Sequence, residues 1–154
     1  KQNRMSISIQ KATEIGVSKI IPCFTEYTNF KKINLKNLHQ NAIEASEQSQ
    51  RLDVPNIEKE VDLKSLLQNW PKDRKLIYCD EKNTDKKSII ETITPLKNTA
   101  NKWSVLIGPE GGFSETEQDL ILKNNNVVSV SLGNTVLRSD TAITVALFCI
   151  KQIT

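Results

Sequence analysis

Residue types that build metal centres and redox sites are scarce in this chain. Its 154 residues include one histidine, one methionine and three cysteines. Cys23, Cys79 and Cys149 lie far apart and form neither a CxxC pair nor a zinc-ligand spacing, so we expect no disulfide and no metal. His39 stands in a polar helical run, and with no other histidine any Ser-His-Asp arrangement would depend on it. We therefore expect His39 to have a surface role.

Long apolar runs are also absent. No segment approaches the roughly eighteen consecutive apolar residues of a membrane span, and the basic start of the chain lacks the apolar part of a signal peptide. We therefore expect a cytoplasmic protein. The net charge is +3 and the isoelectric point is about 8.7, so charge alone does not indicate nucleic-acid binding. Because the chain begins at a lysine and Met5 already lies in a helical pattern, we expect it to be part of a longer protein.

What the chain does contain is the composition of one folded domain, with 38% hydrophobic and 25% charged residues. Apolar spacing predicts helices over 5–15, 35–49, 63–70, 88–94 and 140–153, and a further helix is predicted to begin at Ser114. Short apolar or β-branched runs predict strands over 17–22, 54–57, 76–79, 103–107 and 127–132.

Strands and helices alternate in this order, and several strands are apolar throughout. Such strands are buried on both faces, which predicts an α/β fold with a parallel sheet flanked by helices. Ligands of these sheets bind beyond the carboxyl ends of the strands. The loops that follow Cys79, Ile107 and Leu132 are therefore the candidate sites.

The loop at 107–114 reads Ile-Gly-Pro-Glu-Gly-Gly-Phe-Ser and leads into a helix. Ser114 with Glu117 forms a capping-box pattern. Three glycines allow close approach of a ligand to the backbone. The segment has neither the GxxxxGK[ST] of a phosphate-binding loop nor the GxGxxG of a dinucleotide-binding loop. The structural alternative is a glycine turn that simply feeds a helix.

The loop at 131–142 reads Ser-Leu-Gly-Asn-Thr-Val-Leu-Arg-Ser-Asp-Thr-Ala and also joins a strand to a helix. Arg138 stands just before that helix in a segment with little charge. Its guanidinium would suit a phosphate or a developing anion. The structural alternative is an ion pair between Arg138 and Asp140 or another surface acid.

Together these two loops resemble the signature of the RsmE family, which are 16S ribosomal RNA uridine methyltransferases of the SPOUT superfamily. Two earlier segments agree with it: Gln-Lys-Ala-Thr-Glu-Ile-Gly-Val at 10–17, and Glu-Ala-Ser-Glu-Gln-Ser at 44–49 followed by Arg51. The four motifs stand in the family's order and cover nearly the whole chain. Ser139 and Asp140 depart from the more frequent Thr-Glu but keep a hydroxyl and a carboxylate.

The resemblance implies a SPOUT methyltransferase domain over 1–154 with a C-terminal trefoil knot, which the spacing of the elements could not indicate because knots are rare. It further implies S-adenosylmethionine as cofactor, 16S ribosomal RNA in the small subunit as substrate, and a homodimer. Family members also carry an N-terminal PUA-like RNA-binding domain, which we expect to be missing from this chain.

The resulting hypothesis is methyl transfer from S-adenosylmethionine to the N3 of a uridine. The cofactor pocket is predicted to be formed by nine residues: Ile107, Gly108, Glu110, Gly111, Gly112, Leu132, Gly133, Val136 and Leu137. Arg138 is predicted to be catalytic at the target uridine, by phosphate contact or by stabilising the uracil anion. Glu47 and Gln48 are predicted to line the same cleft or the dimer interface, and no general base is assigned. The alternatives are methylation of another base or of a ribose hydroxyl, a catalytically silent RNA-binding module, and a small-molecule methyltransferase.

Overall fold

The structure is a computed structural model that describes residues 2–28, 32–81, 87–100 and 102–154. The helices are α1 Gln2–Ile15, α2 Leu35–Gln48, α3 Leu63–Gln68, α4 Ile89–Ile93, α5 Glu115–Lys123 and α6 Ser139–Ile153, with a 3₁₀ turn at Thr94–Leu96. The strands are β1 Lys19–Ile20, β2 Cys23–Phe24, β3 Asn56–Ile57, β4 Val61–Asp62, β5 Arg74–Cys79, β6 Lys102–Leu106 and β7 Val127–Val130. Among the described residues, every helix is too short or too polar to span a bilayer.

The sheet is parallel, as the sequence predicts. Its three longer strands lie in the order β6-β5-β7, and both pairings are parallel. β1 with β3 and β2 with β4 form two further parallel pairs of two residues each. β1 and β3 lie within predicted strands, whereas β2 and β4 are missing from the sequence prediction.

Helices cover both faces of the central strand β5. Leu76 and Tyr78 point into a cluster with residues of α3, α5 and the loop that precedes α5. Ile77, which lies between them, points the opposite way into a cluster with α4, β7 and α6. Successive side chains of a strand alternate between the two faces of its sheet. A strand that is buried on both faces therefore needs the continuous apolar sequence found here.

A third apolar cluster joins α1, α2 and β3 through Ile9, Leu38, Ala42 and Ile57. Arg51 connects the segment after α2 to the end of α1. Its guanidinium donates to the carbonyl oxygens of Thr13 at 2.7 Å and Val17 at 3.1 Å, where α1 ends. The two N-terminal motifs of the sequence, 10–17 and 44–51, are thus in direct contact.

The carboxyl ends of β5, β6 and β7 meet at one edge of the sheet because the three strands are parallel. All three candidate loops consequently start from that edge. Residues 82–86 of the loop after Cys79 lie outside the described residues.

Candidate active site

A cavity of about 220 Å³ opens at the carboxyl edge of the sheet. Its walls come from the three loops after β5, β6 and β7, with additions from α1, α5 and α6. The lining residues are Arg4, Tyr78, Cys79, Asp80, Glu81, Ile107, Gly108, Pro109, Glu110, Gly112, Phe113, Gln118, Leu132, Gly133, Thr135, Val136, Leu137, Arg138, Ser139 and Ala142.

The structure brings the two glycine loops together around this cavity. Of the residues that the sequence predicts for the pocket, all except Gly111 belong to the lining, and so does Arg138. Glu47 and Gln48 do not belong to it and lie exposed at the end of α2. His39 is also exposed on α2, as the sequence predicts.

The first loop is held by the start of α5. Ser114 and Glu117 form the predicted capping box, in which the Ser114 side chain accepts from the Glu117 N–H and the carboxylate accepts from the Ser114 N–H. Phe113 is buried and meets Tyr78 edge-on, with ring centroids 5.6 Å apart. The Phe113 ring also lies against Gly108, where an added Cβ would come within 2.9 Å of it. Gly108 is therefore required by packing inside the protein.

Gly111 lies against a different neighbour. A Cβ at this position would come within 3.2 Å of the Tyr27 Cβ. Gly111 thus accommodates the turn around Tyr27, and its contribution to a cofactor pocket stays a prediction.

The second loop presents an open backbone at Gly133. Its φ of +120° is a conformation that L side chains rarely adopt, and, apart from its chain neighbours, no atom of the described residues lies within 4 Å of the position that a Cβ would occupy. The Ser131 hydroxyl holds this turn by accepting from the Gly133 N–H at 3.2 Å. The space in front of Gly133 therefore admits a ligand against the backbone.

Arg138 stands at the cavity with its side chain 71% exposed. Its guanidinium lies 3.5 Å from the carboxylate of Asp140, so the ion pair expected as the structural alternative is present. The Asp140 side chain is only 17% exposed, but a pair at this separation with a guanidinium so exposed to solvent contributes little to stability. The guanidinium is thus in position to exchange Asp140 for an anionic ligand.

Three charged residues of the lining, Arg4, Asp80 and Glu81, were not singled out from the sequence as candidates for the pocket. Asp80 and Glu81 follow β5, whose end the sequence marks as a candidate site, and Arg4 projects from α1 and pairs with Glu110. The strand order places the end of β5 between the ends of β6 and β7, so it could have indicated that the two acids line the cavity. No local pattern could have indicated Arg4, because its partner is 106 residues away.

The thiol and phenol groups in the lining are unsuited to act as bases. Burial, with a smaller contribution from Cys149, raises the pKa of Cys79 to about 12. Burial and the nearby charges of Asp80 and Glu81 raise the pKa of Tyr78 as well. Both groups are therefore protonated at neutral pH.

Taken together, the cavity offers apolar walls, exposed loop backbone, three carboxylates and two guanidinium groups. Such a site suits a ligand that has both a flat apolar part and charged groups. With no thiolate at hand, covalent catalysis by a cysteine of this cavity is disfavoured at neutral pH.

Comparison with known proteins gives a consistent result. The family model described as "RNA methyltransferase domain" matches residues 1–151. A ribosomal RNA small subunit methyltransferase E from Rickettsia conorii is 35% identical over 142 residues, covering 92% of this chain and 57% of the relative. The Bacillus subtilis protein of the same name is 30% identical over 161 residues, covering 98% and 62%.

Solved structures agree in fold. A ribosomal RNA small subunit methyltransferase E from Neisseria gonorrhoeae, bound to S-adenosyl methionine, superposes with a TM-score of 0.84 at 26% identity, covering 97% of this chain and 61% of that one. A Legionella pneumophila protein solved with the cofactor SAM gives 0.82 at 29% identity with the same coverage. This chain thus spans about three fifths of the length of the relatives it matches. On the match over 1–151, the chain belongs to the RNA methyltransferase domain family.

Proposed function

We propose that this chain is the catalytic domain of an S-adenosylmethionine-dependent methyltransferase that modifies the N3 of a uridine in 16S ribosomal RNA. The observation that carries the proposal is the convergence of both glycine loops and Arg138 on one cavity. The names of the relatives, which are small-subunit ribosomal RNA methyltransferases, support the substrate class. Such a substrate also favours the cytoplasm as the place of action.

The cavity has the features that the cofactor requires. Gly133 leaves its backbone open to a ligand, and Ile107, Leu132 and Leu137 supply apolar surface for a flat ring. Backbone N–H and C=O groups of the two loops are suited to read the polar edges of that ring. When bound, the cofactor supplies a methyl group on a sulfonium centre. The role of the protein is to hold this group in line with the acceptor, a contribution of up to roughly 7–11 kcal/mol.

Arg138 is the residue that we propose to act on the RNA. The N3 of uracil must lose its proton, and a cation nearby stabilises the negative charge that develops on the ring. Arg138 lies at the cavity, is largely exposed, and pairs among the described residues with Asp140 alone. The same guanidinium could instead hold the phosphate of the target nucleotide.

The decisive experiment is a calorimetric titration of this chain with S-adenosylmethionine and S-adenosylhomocysteine, followed by methylation of unmodified small-subunit ribosomal RNA. We expect saturable binding of both ligands and a product with the mass and retention of 3-methyluridine. A ribose-methylated or differently methylated product would overturn the assignment of N3. Absence of ligand binding in a folded sample would overturn the enzymatic assignment.

Arg138 variants separate its role from that of the pocket. Arg138→Ala is expected to bind the cofactor as the wild type does and to lose methylation. Arg138→Lys, which keeps the charge but not the planar fork, should recover part of the activity if charge is what matters. Full activity in Arg138→Ala would show that the residue is only structural.

We also propose a homodimer and a trefoil knot formed by the C-terminal segment. The dimer is supported by the apolar surface of α6, where Phe148 is 56% exposed. The knot is supported by the likeness in fold to methyltransferases of the resembled family. Light scattering should give twice the chain mass, and Phe148→Glu should give the single mass if α6 is the interface. A wild-type sample with the single mass would contradict the dimer.

A further inference from the structure

An exposed aromatic side chain stands beside the cavity without belonging to it. Tyr27 is 46% exposed, at the tip of the turn Thr25–Thr28 that follows β2. Single exposed apolar side chains are common on protein surfaces, so the exposure of Tyr27 is informative only through its position beside the cavity.

The turn that carries Tyr27 is firmly held. The Thr28 N–H donates to the Thr25 carbonyl at 3.0 Å, and the Thr25 N–H donates to the Thr28 hydroxyl at 2.9 Å. The Glu26 N–H donates to the Glu117 carboxylate at 2.8 Å, and this same carboxylate caps α5. The turn and the end of the glycine loop are thus both hydrogen-bonded to the Glu117 side chain.

The ring is seated directly on the glycine loop. The position that a Cβ of Gly111 would occupy is 3.2 Å from the Tyr27 Cβ and 3.7 Å from its Cγ. The adjacent residue, Glu110, pairs with Arg4 at the cavity. A half-exposed aromatic ring and a half-exposed guanidinium therefore contact consecutive residues of the loop that lines the cavity.

We propose that Tyr27 and Arg4 form a binding rim for single-stranded RNA, in which Tyr27 stacks on a base next to the target nucleotide and Arg4 contacts the backbone. Proteins that bind single strands combine an aromatic stacking surface with nearby positive charge. Enzymes that modify a base also take it out of its stack, so the neighbouring bases lose a stacking contact. The rim rests on the proposed function, because it names how the RNA substrate of that same cavity is held.

The test measures RNA and cofactor binding separately. Fluorescence anisotropy with a labelled oligouridylate, in the presence of S-adenosylhomocysteine, reports RNA affinity, and calorimetry reports cofactor affinity. Loss of one stacked base is expected to weaken RNA binding by about fivefold to about a hundredfold in Tyr27→Ala. Tyr27→Leu has similar bulk without a π-face and should be equally weak, whereas Tyr27→Phe should bind as the wild type does.

Controls make the result specific. Leu52→Ala removes a fully exposed apolar side chain elsewhere and should leave RNA binding unchanged. In methylation assays, Tyr27→Ala should raise the KM for RNA and leave kcat at saturation and cofactor affinity unchanged. Arg4→Gln should weaken RNA binding and lower its dependence on salt.

Three outcomes would overturn the rim. One is equal RNA affinity in Tyr27→Ala and the wild type. Another is a wild type that binds the cofactor but not the oligouridylate. The third is a Tyr27→Ala variant of changed oligomeric mass, which would show that a second copy of the chain covers the ring. A wild type that fails to bind the cofactor would instead count against the proposed function.

Discussion

At the scale of single residues, similar glycines have different physical reasons. Gly108 makes room for the Phe113 ring and Gly111 makes room for Tyr27, so both serve packing within the protein. Only Gly133 combines a left-handed backbone with open space beside it. The glycines of the first loop are therefore weaker indicators of ligand contact than their number suggests.

Arg51 is a second case in which one side chain has a specific structural task. It donates to two carbonyls at the end of α1, and its side chain is only 12% exposed. Arg51→Ala is expected to lower the free energy of unfolding by about 1.5–3 kcal/mol, because hydrogen bonds from a charged donor are lost. Urea denaturation measures the change. Asp53→Asn, which removes only the exposed partner of Arg51, should have a much smaller effect, and equal losses in both variants would contradict this assignment.

The cysteines make a prediction about reactivity. Burial raises the pKa of both Cys79 and Cys23 to about 12, with Asp62 and Glu117 adding to the effect at Cys23. Since the thiolate is the reactive form, iodoacetamide should modify both slowly at neutral pH. The same reagent should modify all three cysteines rapidly in urea at pH 9. Rapid labelling of Cys79 in the folded protein would contradict the raised pKa.

At the scale of elements, the start of α5 connects fold and site. Its capping box fixes the end of the glycine loop, and Glu117 also receives the Glu26 N–H of the Tyr27 turn. A helix cap that positions a binding loop should influence both stability and affinity.

Replacement of Ser114 tests this connection. Ser114→Ala is expected to lower the free energy of unfolding by about 0.5–2 kcal/mol and to weaken cofactor binding. Asn34→Ala is the matched control, because Asn34 caps α2 by accepting from the Asn37 N–H and lies outside the cavity lining. It should lower stability by a similar amount and leave cofactor affinity unchanged. Weakened binding in both variants would show that affinity merely follows stability.

At the scale of the whole molecule, the parallel sheet brings distant segments to one edge. Loops that are separated along the chain meet there because β5, β6 and β7 all end on the same side. Exposed carboxylates that cap helices or pair with cations contribute to the stability of this arrangement.

These carboxylates predict the response to acid. Hydrogen bonds from Arg51, Ser65, Lys102 and Ser88 lower the pKa values of Asp53, Asp62, Asp73 and Glu91 from the ordinary 3.8 for Asp and 4.5 for Glu. A lowered pKa means that the unfolded chain takes up protons first as the pH falls. Their contribution is therefore present above the ordinary pKa values and is lost as the pH falls through the lowered ones. The urea midpoint should be flat near neutral pH and fall below about pH 4, with a weaker dependence at high salt. A midpoint that rises on acidification would contradict this prediction.

The sequence by itself determined the elements whose pattern is local. Long helices such as α1, α2 and α6 follow from apolar spacing, and the capping box at Ser114 follows from two residues three apart. The apolar runs of the longer strands indicated a parallel sheet, and strand ends indicated the candidate loops. These features are readable because the interacting residues are close along the chain.

Only the tertiary structure decided which distant residues meet. Arg4 reaches Glu110 across 106 positions, and Glu26 reaches Glu117 across 91. The two-residue pairing of β2 with β4 likewise depends on a partner far along the chain. Such contacts leave no local pattern in the sequence. Each arises from the packing of whole elements, and the residues next to it along the chain do not determine it. For that reason the glycine loops were visible in the sequence, whereas the Tyr27 turn that borders them was not.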